Sequence, residues 1–137
     1  MVAKPDVRVS LAPLLSVRRS AEAVEFYKSA IGAVEVYRME EDPEAGVISR
    51  LSVEGAEFWV SEGSPENASY SPSTLNGATT RMILTVPNPD ALVAQAIAAG
   101  AKEVWPVGEG YGWRLGRITD PYGHDWEIGH VLAETHE

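Results

Sequence analysis

The sequence lacks cysteine altogether, so it forms no disulfide, no thiolate zinc site and no cysteine nucleophile. Basic residues are also few: 11 stand against 20 acidic residues, and the resulting net charge of −9 disfavours nucleic acid and anionic membranes as partners. No apolar run approaches the ~20 residues of a membrane span, and the N-terminus lacks the long apolar stretch of a secretory signal. With 137 residues, the chain is expected to form one soluble, cytoplasmic domain.

The chain contains one structural plan twice. Segments 14–33 and 83–101 each begin with a short aliphatic run, pass through a polar turn and continue as an amphipathic helix. Ser20 is the expected N-cap of the first helix. Gly32 and Gly100 are expected to end the two helices, because glycine readily adopts a left-handed conformation. The predicted buried faces are Ala23, Val24, Tyr27, Ala30 and Ile31 in the first helix, and Leu92, Val93, Ala96 and Ile97 in the second.

The repeat continues into the strands. Segments 47–62 and 114–130 both have the pattern of a strand, a tight glycine turn and a second strand. Aligning the turns gives these equivalent pairs: Gly55 and Gly123, Arg50 and Arg117, Phe58 and Trp126, Trp59 and Glu127. We therefore predict an α+β fold of two βαβββ modules, 9–62 and 78–132, joined by loop 63–77. Neither module is large enough to bury its sheet alone, so the two must pack together or across a dimer.

Several of these motifs together resemble the vicinal oxygen chelate superfamily, which includes glyoxalase I, bleomycin-resistance proteins and extradiol dioxygenases. The stretches APLLSV, AVEFYKSAIGA, AIAAGAKEV and GWRLGRITDPYGHDWEI are similar to its PhnB-like and glyoxalase/bleomycin-resistance group. The resemblance implies that the modules form a curved mixed sheet around a shared cleft, which binds a small-molecule ligand. It also implies a homodimer. Whether the cleft forms within one chain or between two, and whether loop 63–77 is a lid or a linker, stays open.

The resemblance also permits a test for a metal site. Metal-using members carry four ligands, usually His or Gln, Glu, His and Glu, on the first and last strands of the modules. The equivalent positions here are Ala12, Trp59, Arg81 and Glu127, of which only Glu127 can bind a metal. We therefore expect no cofactor, and an ion pair between Arg81 and Glu127 in a metal-free cleft. A shifted alignment would instead recruit Glu57, Glu62 or His130.

The acidic residues and histidines near the C-terminus have a simpler interpretation than a metal site. Asp120–Gly123 has the composition of a tight turn, with Asp as its cap and Gly at positive φ. His124 and Asp125 leave this turn and are expected to contact backbone or water. In the alternating strand that follows, Trp126 should face the helices and Glu127 the cleft.

The aromatic residues are the other candidate ligand-binding groups. Trp59 is equivalent to Glu127 and should also point into the cleft. Tyr111 and Trp113 lie in a glycine-rich segment that enters a strand, where their rings are placed to stack on a planar or cationic ligand. We expect Trp105 to be a core or rim residue. The acidic run 39–46 is expected to be a solvated hairpin loop.

Two functions follow from these residues. The first is a small-molecule-binding protein whose metal-free cleft, lined by Trp59, Arg81, Tyr111, Trp113 and Glu127, holds an aromatic or cationic ligand such as an antibiotic or toxin. The alternative is a metal-dependent lyase, isomerase or dioxygenase that uses Glu127 as its catalytic base or metal ligand. An accessory domain without a ligand is a third, weaker hypothesis. The content of bound divalent metal distinguishes the first two, because the superfamily contains both kinds of protein.

Overall fold

A computed structural model describes residues 6–40 and 45–132. The helices are α1 (Ser20–Ile31), α2 (Pro72–Leu75) and α3 (Pro89–Ala99), with a 3₁₀ turn at Pro65–Asn67. The strands are β1 (Leu14–Val17), β2 (Val34–Met39), β3 (Ile48–Val53), β4 (Ala56–Glu62), β5 (Arg81–Thr85), β6 (Lys102–Gly110), β7 (Trp113–Thr119) and β8 (Asp125–Val131). Among the described residues, no helix has the length and apolar character needed to cross a membrane.

The two predicted βαβββ modules are confirmed. Each forms a four-stranded mixed sheet, in the orders β1-β4-β3-β2 and β5-β8-β7-β6. In each module the first strand pairs in parallel with the last, and the remaining pairs are antiparallel. Consequently β1 and β5 are edge strands, and each has only one hydrogen-bonded neighbour in the described chain.

The helix-facing sides of the two sheets share one hydrophobic core. Helices α1 and α3 pack against each other, and each also packs on its own sheet. The ring of Tyr27 on α1 lies 5.3 Å from that of Phe58 and 5.7 Å from that of Trp126, the two positions that the repeat makes equivalent. Because both sheets bury this side in the same core, their opposite sides, here called the outer faces, point away from it.

The predicted buried face of α1 is confirmed in full, whereas that of α3 is only partly buried. All five expected residues of α1 are buried, and so are Val93 and Ala96 of α3. Leu92 is only partly buried, and Ile97 is exposed. Gly32 and Gly100 follow the helices with φ values of 70° and 125°, which L side chains rarely adopt.

The prediction that Ser20 caps α1 is wrong. Ser20 is the first helical residue, and a carboxylate from the end of β4 satisfies the helix N-terminus instead. Glu62 accepts hydrogen bonds from the backbone N–H groups of Arg19 (3.0 Å) and Ser20 (2.9 Å), and from the Ser20 hydroxyl (2.9 Å). A carboxylate at this end of a helix also interacts favourably with the helix dipole. Glu62 therefore joins the last strand of the first module to its helix.

The turn before β8 forms as predicted, with Asp120 and Tyr122 buried and Pro121 exposed. Asp120 accepts hydrogen bonds from the backbone N–H groups of Tyr122 (2.9 Å) and His124 (3.0 Å) through Oδ1, and Gly123 has φ 92°. His124 contacts backbone as expected, with Nε2 2.9 Å from the carbonyl oxygen of Ser16. Asp125 does not: its carboxylate accepts a hydrogen bond from the side chain of Thr119 (2.7 Å). The side-chain contacts of Asp125 keep it on the outer face of the sheet.

Segment 63–77 connects the modules and is more ordered than a simple loop. It contains the 3₁₀ turn and α2, and a bridge between Ser64 and Ser69 closes its first part. Ser71 and Pro72 are buried, with Pro72 beside Gly123 of the second module. The segment thus packs against the second module at Pro72. Much of the predicted acidic hairpin loop, residues 41–44, lies outside the described residues.

Candidate functional site

A row of four side chains crosses the outer face of each module at equivalent positions. In the first module the strand register aligns Leu14, Trp59, Arg50 and Tyr37. In the second it aligns Ile83, Glu127, Arg117 and Trp105. In both rows the first residue is aliphatic, the third is arginine and the fourth is aromatic, whereas the second residue differs in chemical type between the modules. The chemical difference between the two outer faces is therefore concentrated where Trp59 is replaced by Glu127.

The outer face of the second module carries a pocket of about 550 Å³. Its walls include Trp105, Tyr111, Trp113 and Leu115, with Glu127 and Ile83 also lining it. The hairpin between β6 and β7 turns at Tyr111 and Gly112, whose φ values of 54° and 81° place Tyr111 at the exposed tip. Three aromatic side chains and one carboxylate therefore line this pocket.

The predicted pair of Arg81 and Glu127 is present at the edge of this pocket. Arg81 Nε lies 3.2 Å from Glu127 Oε1. The Glu127 side chain is only 14% exposed, whereas that of Arg81 is half-exposed. The parity of β8 explains the position of Glu127, because Trp126 and Ile128 on either side of it are buried in the core. The carboxylate is thus held on the outer face with a cationic neighbour.

Of the predicted ligand-binding residues, Tyr111, Trp113 and Glu127 line this pocket, Arg81 contacts it only through Glu127, and Trp59 lies elsewhere. It stands on the outer face of the first module, where its ring contacts that of Tyr37 edge-to-face at 5.9 Å. The structure therefore brings together Glu127, Arg81, Tyr111 and Trp113, and separates Trp59 from them. Trp105, expected in the core or at its rim, instead forms a wall of the pocket.

The donor set does not fit a divalent metal. Of the four positions that carry ligands in metal-using relatives, only Glu127 offers a donor, and the guanidinium of Arg81 beside it would repel a cation. In residues 6–40 and 45–132, no group of three or more His, Cys, Asp or Glu side chains is placed to hold an ion. The donors of a shifted alignment are dispersed, since Glu62 caps α1 and the Nδ1 of His130 lies 3.0 Å from the Val131 carbonyl oxygen. The side chains placed around Glu127 therefore do not form a ligand set for a divalent metal.

A buried hydrogen-bond cluster lies directly behind Glu127. Asp120 Oδ2 accepts hydrogen bonds from the Tyr27 hydroxyl (2.6 Å) and from Trp126 Nε1 (2.9 Å). Burial, followed by the charge of Asp120, raises the pKa of the Tyr27 hydroxyl well above its usual value. The cluster ties α1 to the start of β8 and so fixes the strand that carries Glu127.

Sequence reasoning missed the role of two outer-face arginines, although the repeat had aligned them. The guanidinium carbon of Arg50 lies 5.5 Å from the ring centroid of Trp59, and that of Arg117 lies 5.2 Å from the ring centroid of Trp105. The register between β6 and β7 that places Trp105 beside Arg117 includes bulges, which no sequence pattern marked, whereas Arg50 and Trp59 are paired by a regular register of β3 and β4. The alignment of Arg50 with Arg117 was the available signal.

Comparisons with known proteins agree with this architecture. The glyoxalase-like domain family matches residues 14–129. An uncharacterised protein of Mycobacterium tuberculosis strain H37Rv is 31% identical over 133 residues, which cover 94% of this chain and 78% of that protein.

Solved structures share the fold at lower identity. TioX from Micromonospora sp. ML1 is similar with a TM-score of 0.71 and 23% identity, over 90% of this chain and 100% of that one. A fosfomycin-resistance protein from Listeria monocytogenes, solved with Mn(II) and sulfate, has a TM-score of 0.68 and 14% identity, over 93% and 94% of the two chains. At these identities the likeness concerns the fold alone. The family match, which covers residues 14–129, shows that the chain belongs to the glyoxalase-like domain family.

Proposed function

We propose that this protein binds a planar aromatic small molecule in a metal-free cleft, in the manner of a bleomycin-resistance type protein that sequesters an antibiotic or toxin. The observation that carries the proposal is the pocket of about 550 Å³ with Trp105, Tyr111 and Trp113 in its walls. Such a volume is in the range of small-molecule sites, which are mostly apolar with a few polar groups that orient the ligand. Membership of the PhnB-like group is part of this proposal.

The complete cleft, in this proposal, forms between two copies of the chain. The outer faces of the two modules point away from their shared core, so one chain cannot enclose a ligand between them. Ile83 on β5 is 64% exposed and Leu14 on β1 is half-exposed, which leaves apolar surface on these two free edge strands; Trp105, also half-exposed, adds apolar surface on β6 at the other edge of the second sheet. In a homodimer, the first module of one copy covers the second module of the other and brings Trp59 to the pocket. Analytical ultracentrifugation of the purified protein tests this arrangement, and a monomer at micromolar concentration would contradict it.

The metal-dependent enzyme is the competing function. It requires Glu127 as a base or metal ligand, but this carboxylate already pairs with Arg81, and the described residues place no cluster of further donors around it. Calorimetric titration of Mn²⁺, Ni²⁺ and Zn²⁺ into chelator-treated, tag-free protein distinguishes the two functions. We expect no saturable binding. One ion per cleft, with binding abolished by Glu127→Gln, would favour the enzyme.

Binding itself is tested with a neutral planar probe, naphthalene-2-carboxamide, by calorimetry. We expect saturable binding that Trp113→Ala or Tyr111→Ala weakens by about tenfold, the usual cost of removing a stacking side chain. The matched control is Tyr70→Ala, because Tyr70 is also an exposed tyrosine but lies on the linker, outside this pocket. Equal losses in Tyr111→Ala and Tyr70→Ala would show that the aromatic pocket is not the site.

A further inference from the structure

Two arginines occupy the same place on the outer faces of the two modules. Arg50 lies third in the row of the first module and Arg117 third in that of the second. Each guanidinium lies over an indole ring, that of Trp59 or Trp105, at 5.5 and 5.2 Å from the centroid. A cation–π contact of this kind uses none of the hydrogen-bond donors of the guanidinium.

The hydrogen-bonding capacity of these two arginines is unfilled. In the described residues, neither guanidinium makes a hydrogen bond, and Nε of both is enclosed without a partner. The nearest carboxylates are Glu57, 3.9 Å from Arg50, and Asp125, 3.3 Å from Arg117 without hydrogen-bond geometry. Since Nε is enclosed, a ligand can reach these arginines only through the terminal N–H groups of side chains that are 40% (Arg50) and 20% (Arg117) exposed.

Arg114 lies on the same strand as Arg117, but its guanidinium is engaged in hydrogen bonds with carboxylates. Arg114 is the residue of β7 that reaches α3, and it donates three hydrogen bonds: two to Asp90 (2.8 and 2.6 Å) and one to Glu109 (3.2 Å). The hydrogen bond from Arg114 lowers the pKa of the Asp90 carboxyl. Arg114 therefore has a structural role, which Arg50 and Arg117 lack.

We infer that the ligand carries an oxyanion, such as a carboxylate, phosphonate or sulfonate, attached to its planar body, and that Arg50 and Arg117 bind it. The inference rests on the proposed function and specifies its ligand. An oxyanion supplies the acceptors that a guanidinium edge binds best. Each of the three outer-face arginines has one carboxylate within 4.0 Å: Glu57 beside Arg50, Glu127 beside Arg81 and Asp125 beside Arg117. A cationic ligand would therefore compete with an arginine for each of these carboxylates, whereas an oxyanion would add acceptors for the open N–H groups of Arg50 and Arg117.

The net charge of −9 does not oppose this inference. Charges on the rest of the surface are screened over about 8–10 Å at physiological ionic strength, so the arginines that touch the ligand dominate. The acidic balance of the whole chain therefore predicts solubility better than ligand charge, and the expectation of a cationic ligand gives way to an anionic one.

The test uses three probes of one shape: naphthalene-2-carboxylate, naphthalene-2-carboxamide and 2-naphthylmethylammonium, each titrated by calorimetry into the wild-type protein. We expect the carboxylate to bind about tenfold more tightly than the amide, as charge-assisted hydrogen bonds predict, and the ammonium more weakly than both. Arg117→Gln and Arg50→Gln should each remove most of the preference for the carboxylate. Arg114→Gln, the matched control, should retain it. Circular dichroism confirms that each variant is folded.

The failures of this test are distinguishable. If the amide and the ammonium bind as tightly as the carboxylate, the oxyanion inference is overturned while aromatic binding stands. If the preference for the carboxylate survives in both Arg117→Gln and Arg50→Gln, these residues do not bind the oxyanion. If none of the three probes binds the wild-type protein, the proposed function fails together with the inference.

Discussion

The Asp120 side chain is 3% exposed and accepts four hydrogen bonds, so its replacement by Asn should strongly destabilise the fold. Oδ1 accepts from the backbone N–H groups of Tyr122 and His124, and Oδ2 from the Tyr27 hydroxyl and Trp126 Nε1. An asparagine has one acceptor oxygen and one donor amide at these two places. If the oxygen keeps the backbone partners, the amide faces Tyr27 and Trp126. The Tyr27 hydroxyl can rotate to accept, but the indole N–H cannot.

The expected loss follows from this count. One buried donor without an acceptor costs about 1–3 kcal/mol, and the remaining bonds lose the extra strength of an ionised acceptor. We therefore expect Asp120→Asn to lower the free energy of unfolding by about 3 kcal/mol, a large part of the ~5–15 kcal/mol typical of a domain. The neighbouring bonds are coupled, so the values of single bonds do not simply add.

Urea unfolding followed by tryptophan fluorescence measures this loss, with the slope m as a check on the denatured state. The control is the same substitution at Asp90, an exposed aspartate whose partner is Arg114, where the unfolding midpoint should change little. When Tyr27 has already been replaced by Phe, Asp120→Asn should lower the free energy of unfolding by less than it does in the wild type, because Tyr27 and Asp120 are hydrogen-bonded. A loss below about 1 kcal/mol in Asp120→Asn, or one equal to that of Asp90→Asn, would refute the argument.

Three further predictions concern stability. Burial raises the pKa of Tyr27 well above the unfolded value of about 10, so the free energy of unfolding is retained below that pH and falls above it by about 1.4 kcal/mol per pH unit. Between pH 8 and 11, the urea midpoint should decrease less in Tyr27→Phe than in the wild type, and an equal decrease would contradict this. Glu62→Gln should cost about 1–2 kcal/mol, because α1 loses the charged acceptor at its N-terminus; an unchanged midpoint in urea would reject this role. Gly129→Ala should be strongly destabilising, since the new methyl group would overlap a backbone carbonyl oxygen of β7. In Gly110→Ala the methyl group meets open space, so this variant should be tolerated. Thermal unfolding compares the two variants, and similar melting temperatures would contradict the prediction.

The sequence predicted the parts of the fold that depend on local pattern and on the repeat. The alignment of Trp59 with Glu127 gave the correct register, because the first strand of each module pairs with the fourth in the same way. The direction of Glu127 followed from the two-residue period of a strand. The turn at Asp120 was also predicted, since Asp, Pro and Gly each favour it for a known reason.

The features that sequence analysis missed depend on contacts between residues far apart in the chain. Glu62 caps a helix that begins 42 residues earlier, so the local preference of Ser20 gave the wrong cap. The hydrogen bond between Tyr27 and Asp120 spans 93 residues, and no motif marked it. The separation of Trp59 from the pocket depends on how the modules pack, which the pattern within each module does not determine.

The two outer-face rows have a consequence for the direction in which a ligand binds. If they face each other across a dimer as proposed, the two rows alone would offer a ligand similar partners in either of two orientations. Trp59 on one side and Glu127 on the other break this equivalence, and Tyr111 and Trp113 of the second module add to the difference. The ligand would then take one orientation, and exchanging Trp59 and Glu127 would be expected to weaken that preference.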